Sequence, residues 1–263
     1  MDNQCGIDEW AILTKDLEKM KQTQFTILRN EPLTAEVWRM TLEGDAAAVS
    51  GIRPGQFVEI AIPGLFLRRP ISVSDIRGDE LTIIYKVVGQ GTDRMAAMSA
   101  GEELDILTGL GNGYDLSLCG NEALLIGGGV GVPPLIYAAK KLREMGKKVR
   151  VVMGFNTKDE VFGEEAFRAL GCETTVCTMD GSYGKKGVVT DVIEKPAPYY
   201  YACGPLPMIK AIMRTIGTNG QISMEERMGC GVGICVGCTI ETKEGFKRVC
   251  KEGPVFSADA LKI

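Results

Sequence analysis

The sequence predicts a multidomain α/β plus β fold with three parts: an antiparallel β-barrel, a parallel α/β domain and a small cysteine-rich C-terminal module. Three observations support this prediction. Short β-branched runs separated by Gly and Pro extend to about residue 118, strand and helix patterns alternate from there to about residue 221, and four clustered cysteines follow. We expect an N-terminal extension over residues 1–20, the barrel over 21–120, the α/β domain over 121–224 and the module over 225–263.

The composition limits the possible functions. The chain has 263 residues, 45% hydrophobic and 24% charged, and its net charge of −4 argues against a nucleic-acid partner. No apolar run reaches the roughly 18 residues that span a bilayer, so no membrane contact is expected. Nine cysteines without a signal peptide indicate a reducing, cytoplasmic location. The absence of histidine excludes an imidazole base or ligand and favours redox chemistry over hydrolysis.

The first region has even strand spacing, with turn residues between runs, which is typical of a small barrel. We expect a helix over residues 93–99 with Thr92 as its N-cap, and a helix start of this kind suits a phosphate. Arg68 and Arg69, which precede Pro70, are guanidinium groups suited to the same chemistry, although exposed arginines are usually only solvated. Two anion sites on one barrel suggest a cofactor that carries a pyrophosphate. The predicted strands cover 24–29, 36–42, 56–62, 70–75, 81–88 and 103–107.

The second region contains two glycine-bearing strand-to-helix turns. The loop from Gly127 to Pro134 follows a strand and opens a helix, as a dinucleotide loop does, although Pro134 replaces the third glycine of that pattern. Cys203-Gly204-Pro205 lies at the carboxyl edge of the predicted sheet, where ligands bind in open α/β folds. Each turn could instead be only a tight connection. The predicted helices cover residues 135–145, 160–170, 189–195 and 205–216.

The four cysteines of the third region have the spacing C-x4-C-x2-C followed by eleven residues and a fourth cysteine. This is the plant-type spacing of a [2Fe–2S] cluster held by four thiolates. A structural zinc site would favour paired C-x2-C knuckles, and two disulfides would suit a secreted chain. The predicted cluster ligands are Cys230, Cys235, Cys238 and Cys250.

These motifs together resemble a known family. The order of RRPIS, GGGVGVPP, CGP and the cysteine loop is similar to that of ferredoxin-reductase-like flavoproteins. The segment from Met224 to Gly231, MEERMGCG, and the terminal Gly253–Phe256 resemble one branch of them, the electron-transfer subunits of NAD-dependent (B-type) dihydroorotate dehydrogenases. The resemblance covers residues 20–263 and implies an FAD-binding barrel, a Rossmann-like NAD-binding domain and a [2Fe–2S] module.

The resemblance also implies roles for individual residues. Arg69 is expected at the FAD pyrophosphate and Ser72 near the flavin ring. The wider family usually has a stacking tyrosine where this chain has Ile71, so Tyr85 or another group is expected to help to cover the ring. Expected FAD contacts are Arg69, Pro70, Ile71, Ser72, Ile84, Tyr85, Lys86, Gly91 and Thr92. Expected NAD contacts are Gly127, Gly128, Gly129, Gly131, Cys203, Gly204 and Pro205.

The implied function is an electron relay. In such a relay, a separate FMN-containing catalytic subunit oxidises dihydroorotate in pyrimidine biosynthesis, and electrons pass through [2Fe–2S] and FAD to NAD+. The resemblance implies a heterotetramer with two copies of each subunit. No arginine follows the second α/β strand to hold a 2′-phosphate, which favours NAD, although Lys158 leaves NADP open. Two alternatives remain: an NAD(P)H–ferredoxin reductase subunit of an electron-bifurcating or sulfide-oxidising complex, and a zinc-stabilised binding module.

Overall fold

The computed structural model describes residues 19–263. The predicted N-terminal extension lies outside these residues, apart from Lys19 and Met20, and so does Cys5. Within the described part of the chain, no helix has the length and apolar character needed to cross a membrane.

The first region forms a closed six-stranded antiparallel barrel, as predicted. Its spatial order is β1-β2-β5-β4-β3-β6. Strand β6 alternates between buried and more exposed residues, because every second side chain enters the barrel core. The strands are β1 (Lys21–Pro32), β2 (Val37–Glu43), β3 (Phe57–Ile60), β4 (Arg69–Arg77), β5 (Glu80–Lys86) and β6 (Glu103–Leu110).

Two short helices accompany the barrel: α1 (Ala46–Val49) and α2 (Gln90–Ala96). The prediction that Thr92 is the N-cap of α2 is wrong, because the helix begins three residues earlier than expected. Thr92 is its third residue, and its buried hydroxyl oxygen accepts hydrogen bonds from the N–H groups of Val88 (3.0 Å) and Gly89 (3.3 Å). The side chain still satisfies main-chain donors at the helix start, but from inside the helix.

The second region forms a mainly parallel sheet in the order β10-β9-β8-β7-β11-β12, and a C-terminal strand, residues 255–257, adds to its β12 edge. The chain runs outward from β7 through β8 and β9, and then returns to the other side of β7 at β11. The gap between β7 and β11 is therefore the topological switch point. The strands are β7 (Glu122–Gly128), β8 (Lys148–Phe155), β9 (Glu173–Thr178), β10 (Lys185–Lys186), β11 (Tyr200–Cys203) and β12 (Gly220–Ser223).

Helices cover both faces of this sheet, which confirms the predicted fold class. They are α3 (Pro133–Glu144), α4 (Glu164–Ala169) and α5 (Leu206–Ile216). Helix α3 is buried on most sides because it lies between the sheet and the barrel. Its Tyr137 hydroxyl donates to the Ile52 carbonyl at 3.1 Å, and Lys140 Nζ forms a 2.7 Å ion pair with Asp75 of β4.

The helix predicted over residues 189–195 is wrong. The chain forms only a three-residue 3₁₀ turn, Val189–Asp191. Its β-branched residues disfavour an α-helix, and Pro196 restricts the residue before it. The Asp191 carboxylate accepts a 2.9 Å hydrogen bond from the Val188 N–H and closes the turn.

The third region is joined to the sheet by a strand that the sequence did not predict. The region contains a hairpin of β13 (Thr239–Thr242) and β14 (Gly245–Arg248), and β15 (Val255–Ser257) then pairs antiparallel with β12. Asn112, after the last barrel strand, donates to the Val255 carbonyl at 2.7 Å and accepts from the Val255 N–H at 2.9 Å. The C-terminal strand therefore contacts both larger regions.

Candidate cofactor sites

The two barrel motifs expected at the FAD phosphates lie together. Arg69 begins β4 and Gly91 lies in the first turn of α2. An ideal Cβ added to Gly91 would lie 2.1 Å from Arg69 Nε and 2.7 Å from Cζ, so the guanidinium group covers the glycine. A cation next to the N–H groups of a helix start suits an anionic group. These residues fit the pyrophosphate that was predicted from the sequence.

Arg68 lies in a different arrangement from Arg69. Its Nη2 forms a 2.8 Å ion pair with Asp105 of β6, and its Nη1 donates to the Asp105 carbonyl at 3.0 Å. Arg68 is therefore already paired with a carboxylate, and its place at an anion site stays a prediction. Its guanidinium group ties the end of the β3–β4 loop to β6.

The second predicted flavin strand is β5, and its side chains point alternately to opposite sides of the barrel wall. Tyr85 is buried inside the barrel, where its hydroxyl donates to Asn30 Oδ1 at 3.0 Å, and burial raises its pKa to about 12. The expectation that its ring helps to cover a flavin is wrong, because the ring packs among the core side chains. The Ile84 side chain packs with the α/β core, and Lys86 forms a 2.8 Å ion pair with Glu36.

Strand β4 carries the rest of the barrel motif. Pro70 pairs in register with Glu59 of β3, Ile71 with Val58, and Ser72 with Phe57. Pro70, Ile71 and Ser72 are half-buried, so they are neither closed inside the core nor fully in solvent. Their flavin contacts remain a prediction.

The glycine loop and the Cys-Gly-Pro turn meet at the switch point of the sheet. Gly127 of β7 pairs in register with Cys203 of β11, so both turns leave the same carboxyl edge. An ideal Cβ at Gly131 would lie 2.2 Å from the Cys203 carbonyl oxygen and 2.6 Å from the Gly204 nitrogen. Glycine is therefore required at position 131 because two main chains touch there.

The other glycines of these turns differ from Gly131 in their surroundings. Gly129 has a φ of +51° and open space around its Cα, so it is the loop glycine whose main chain is free to approach a ligand. Gly128 and Gly204 each pack against Met208 of α5. Burial raises the pKa of the Cys203 thiol to about 12, which keeps it neutral at the edge of the sheet.

A cavity of about 740 Å³ brings these motifs together. Its lining includes Arg69 and Pro70 from the barrel and Gly204 and Pro205 from the α/β domain. A further part of the wall is the segment Met224–Met228, which connects β12 to the cysteine loop. Sequence reasoning used this segment only for family resemblance, because nothing local shows that its side chains face a shared cavity.

The four predicted cluster ligands are arranged in two pairs. The Cys235 N–H lies 3.3 Å from Cys230 Sγ, and the Cys250 N–H lies 3.4 Å from Cys238 Sγ. Cys230 and Cys235 are half-buried, whereas Cys238 and Cys250 are buried. A [2Fe–2S] cluster takes two thiolates on each iron, so this pairing fits it. All eight cysteines of residues 19–263 are free thiols.

The surroundings of the loop favour thiolate at one ligand. Burial acts to raise the Cys230 pKa, but N–H groups of Cys235, Val232 and Ile234 donate to the sulfur and the pKa falls to about 6. At Cys250, burial and the neighbouring Cys238 thiol raise the pKa instead. Within residues 19–263, no three His, Cys, Asp or Glu side chains are arranged to hold a metal ion. The ligand set therefore rests on the pairing and on the donor chemistry.

Comparison with known proteins identifies the family. Residues 225–262 match the model of the iron–sulfur cluster binding domain of dihydroorotate dehydrogenase B. The chain is 45% identical over 260 residues to the electron transfer subunit of dihydroorotate dehydrogenase B (NAD(+)) from Fusobacterium nucleatum, covering 93% of this chain and 100% of the relative. The chain belongs to this family of electron-transfer subunits. The family member from Bacillus pumilus is 42% identical over 258 residues, with 93% and 99% coverage. The resemblance predicted from the motifs is confirmed.

Solved structures agree with the fold of this dihydroorotate dehydrogenase B family. The NADH-dependent reduced ferredoxin-NADP oxidoreductase, described in connection with flavin-based electron bifurcation, matches with a TM-score of 0.80 and 28% identity. The match covers 90% of this chain and 89% of that chain. Phthalate dioxygenase reductase matches with a TM-score of 0.63 at 17% identity, covering 79% of this chain and 68% of that chain, which supports the fold alone.

Proposed function

We propose that the chain relays electrons between the catalytic subunit of a dihydroorotate dehydrogenase and NAD+, using a [2Fe–2S] cluster and FAD. The observation that carries this proposal is the shared cavity, because one space is bordered by the flavin motif, the Cys-Gly-Pro turn and the segment leading to Cys230. A cluster transfers single electrons, a flavin one or two, and nicotinamide a hydride, so the flavin is needed between the other two.

The chain's own residues have distinct tasks in this proposal. Arg69 and the start of α2 bind the FAD pyrophosphate, and Pro70 to Ser72 position the flavin at the cavity. The loop around Gly129 and the turn at Gly204 bind NAD and direct its nicotinamide toward the same cavity. Four cysteines bind the cluster: Cys230, Cys235, Cys238 and Cys250.

Several features favour NAD over NADP. Glu160, just beyond the carboxyl end of β8, accepts hydrogen bonds from Asn156 Nδ2 at 2.9 and 3.1 Å and from its N–H at 3.1 Å. A carboxylate at this edge of a dinucleotide fold can bind a ribose 2′-hydroxyl and repels a 2′-phosphate. The Lys158 N–H donates to Ser182 Oγ at 2.8 Å, which fixes the main chain of this turn.

The partner in this proposal is an FMN-containing subunit that oxidises dihydroorotate, assembled with this chain as a heterotetramer in the cytoplasm. The family name supports a catalytic partner, since the relatives are called electron transfer subunits. Residues 19–263 form one closed barrel, and the relatives' name places dihydroorotate oxidation on another subunit, so the chain alone is expected to reduce dyes with NADH but not to oxidise dihydroorotate.

The first experiment is an absorption spectrum of aerobically purified protein with flavin and iron analysis. Flavin and cluster bands with about one FAD and two irons per chain are expected from the ligand set. Cys238→Ser should lose iron, whereas the matched control Cys172→Ser, a buried thiol away from the loop, should keep it. A colourless protein that contains zinc would overturn the proposal.

A second candidate function is a reductase subunit of an electron-bifurcating complex. The bifurcating oxidoreductase match at a TM-score of 0.80 favours it, whereas the relatives at 40–45% identity favour the dihydroorotate dehydrogenase. The two are separated by adding either the orotate-forming subunit or ferredoxin to the purified chain. NADH formation from dihydroorotate selects the first, and activity with ferredoxin alone selects the second.

A further inference from the structure

Glu59 is an unusual member of the barrel wall. Among residues 19–263, Glu59 is the only Asp, Glu, Lys or Arg that is buried, with 2% of its surface exposed. Within the same residues, no group donates a hydrogen bond to its carboxylate, and no cation lies within ion-pair distance. The carboxylate oxygens are not among the buried polar atoms that lack a hydrogen-bond partner, so they keep contact with solvent while the rest of the side chain is enclosed.

The position of Glu59 connects two predicted sites. Its neighbours Val58 and Ile60 enter the barrel core, so Glu59 faces outward on the same side as Phe57, which packs with the C-terminal module. Glu59 of β3 pairs in register with Pro70 of β4, which belongs to the flavin motif. The carboxyl group therefore lies between the flavin strand and the module.

The carboxyl group of Glu59 also contacts the cysteine loop. An ideal Cβ at Gly231 would lie 2.2 Å from Glu59 Oε1 and 2.7 Å from Cδ, so the loop rests directly on the carboxyl group. Gly231 has a φ of +67°, and it follows the ligand Cys230. A larger residue at position 231 would push the loop away from the barrel.

We propose that Glu59 is a positioning residue for the cluster: its carboxyl group supports the Cys230 end of the loop from the barrel side and lowers the cluster's reduction potential. This inference rests on the proposed cofactor set. A negative charge beside a ligand disfavours the added electron, and low local dielectric strengthens the effect. The charges that face Glu59 are Arg68 and Arg69, which act to lower its pKa, and the Cys230 sulfur, which acts to raise it.

The pH of the assay is chosen to favour the charged form of the carboxyl group. Burial raises the pKa of Glu59 to about 7, with Cys230 adding to the rise and the two arginines opposing it. Redox titration at about pH 9 therefore examines the charged form. Glu59→Gln keeps the size of the side chain and removes this charge, whereas Glu59→Asp keeps the charge but withdraws it from Gly231.

The test is a redox titration of the cluster in the purified holoprotein, followed by electron paramagnetic resonance. Glu59→Gln is expected to move the midpoint potential to a more positive value at unchanged iron and FAD content, and Glu59→Asp to move it part of the way. Glu43→Gln, an exposed carboxylate on β2, is the matched control and should leave it unchanged.

Wild-type potential in whichever Glu59 variant folds and binds iron would overturn the inference. Loss of iron in both variants, with FAD content and melting temperature as in wild type, would support the role of Glu59 in positioning the cysteine loop. Wild-type protein without iron would instead overturn the proposed function, so the two failures are distinguishable.

Discussion

Replacing Gly131 by alanine tests the idea that the two nucleotide turns are one unit. The new methyl group would lie 2.2 Å from the Cys203 carbonyl oxygen and 2.4 Å from its carbonyl carbon. Normal carbon–oxygen contacts begin near 3.4 Å, so one main chain must move by about 1 Å. Neither neighbour is a flexible side chain that could turn aside.

The magnitude follows from this displacement. Forcing an extra carbon into a packed site costs about 1–3 kcal/mol. Every 1.4 kcal/mol of lost binding free energy is tenfold in Kd, so we expect NAD+ to bind roughly five- to 150-fold more weakly. The same cost should lower the Tm by roughly 2–10 °C for a chain of this size. FAD content should not change, because Arg69 and Gly91 lie on the barrel.

The assay is a titration of the oxidised holoprotein with NAD+, monitored by calorimetry, together with a thermal unfolding scan. The matched control is Gly120→Ala, which lies before β7 and has open space around the added methyl group. Wild-type nucleotide affinity in Gly131→Ala, with the control also unchanged, would show that contact between the turns does not organise the nucleotide site.

Three other perturbations have expected outcomes. Gly91→Ala should displace the Arg69 guanidinium group and lower the flavin-to-protein absorbance ratio with little change in Tm, whereas Gly89→Ala, which has open space, should match wild type; equal flavin content in both would contradict the pyrophosphate assignment. After iron is removed by a chelator, iodoacetamide should alkylate Cys230 at a rate that is near its maximum at pH 7 and falls about tenfold per pH unit below its pKa of about 6. Mass spectrometry of the labelled peptide at several pH values measures this rate. A midpoint of the pH profile near the ordinary thiol pKa would refute the prediction. Glu160→Gln should narrow the affinity difference between NADH and NADPH by about tenfold or more, and an unchanged ratio in paired binding titrations would remove Glu160 from cofactor selection.

Local patterns predicted much of the fold. Strand spacing and glycine-bearing turns predicted the barrel, and the alternation of strands and helices predicted the parallel sheet, because each pattern reports which side of one element is buried. The cysteine spacing predicted four cluster ligands, but their arrangement in two pairs was visible only in the structure. The domain boundaries stay predictions.

Several features that the sequence did not predict depend on partners that are distant along the chain. Arg68 is paired with Asp105, thirty-seven residues away, which nothing in the local sequence indicates. Tyr85 was expected at a ligand because aromatic rings often cover flavins, yet strand register turned it toward Asn30 inside the barrel. Strand β15 is only three residues long, and its pairing with β12 leaves no periodic signal. Glu59 had no local feature to distinguish it from a solvated glutamate.

The pairing of β15 with β12 has a consequence for how quickly electrons can pass through the molecule. The cysteine loop is held at one end by the segment from β12 and at the other by a strand in the same sheet, with Asn112 fastening that strand to the barrel. No tethered module has to swing between donor and acceptor. Turnover limited by electron passage through this chain should therefore be insensitive to solvent viscosity, unlike that of reductases whose carrier domain diffuses on a linker.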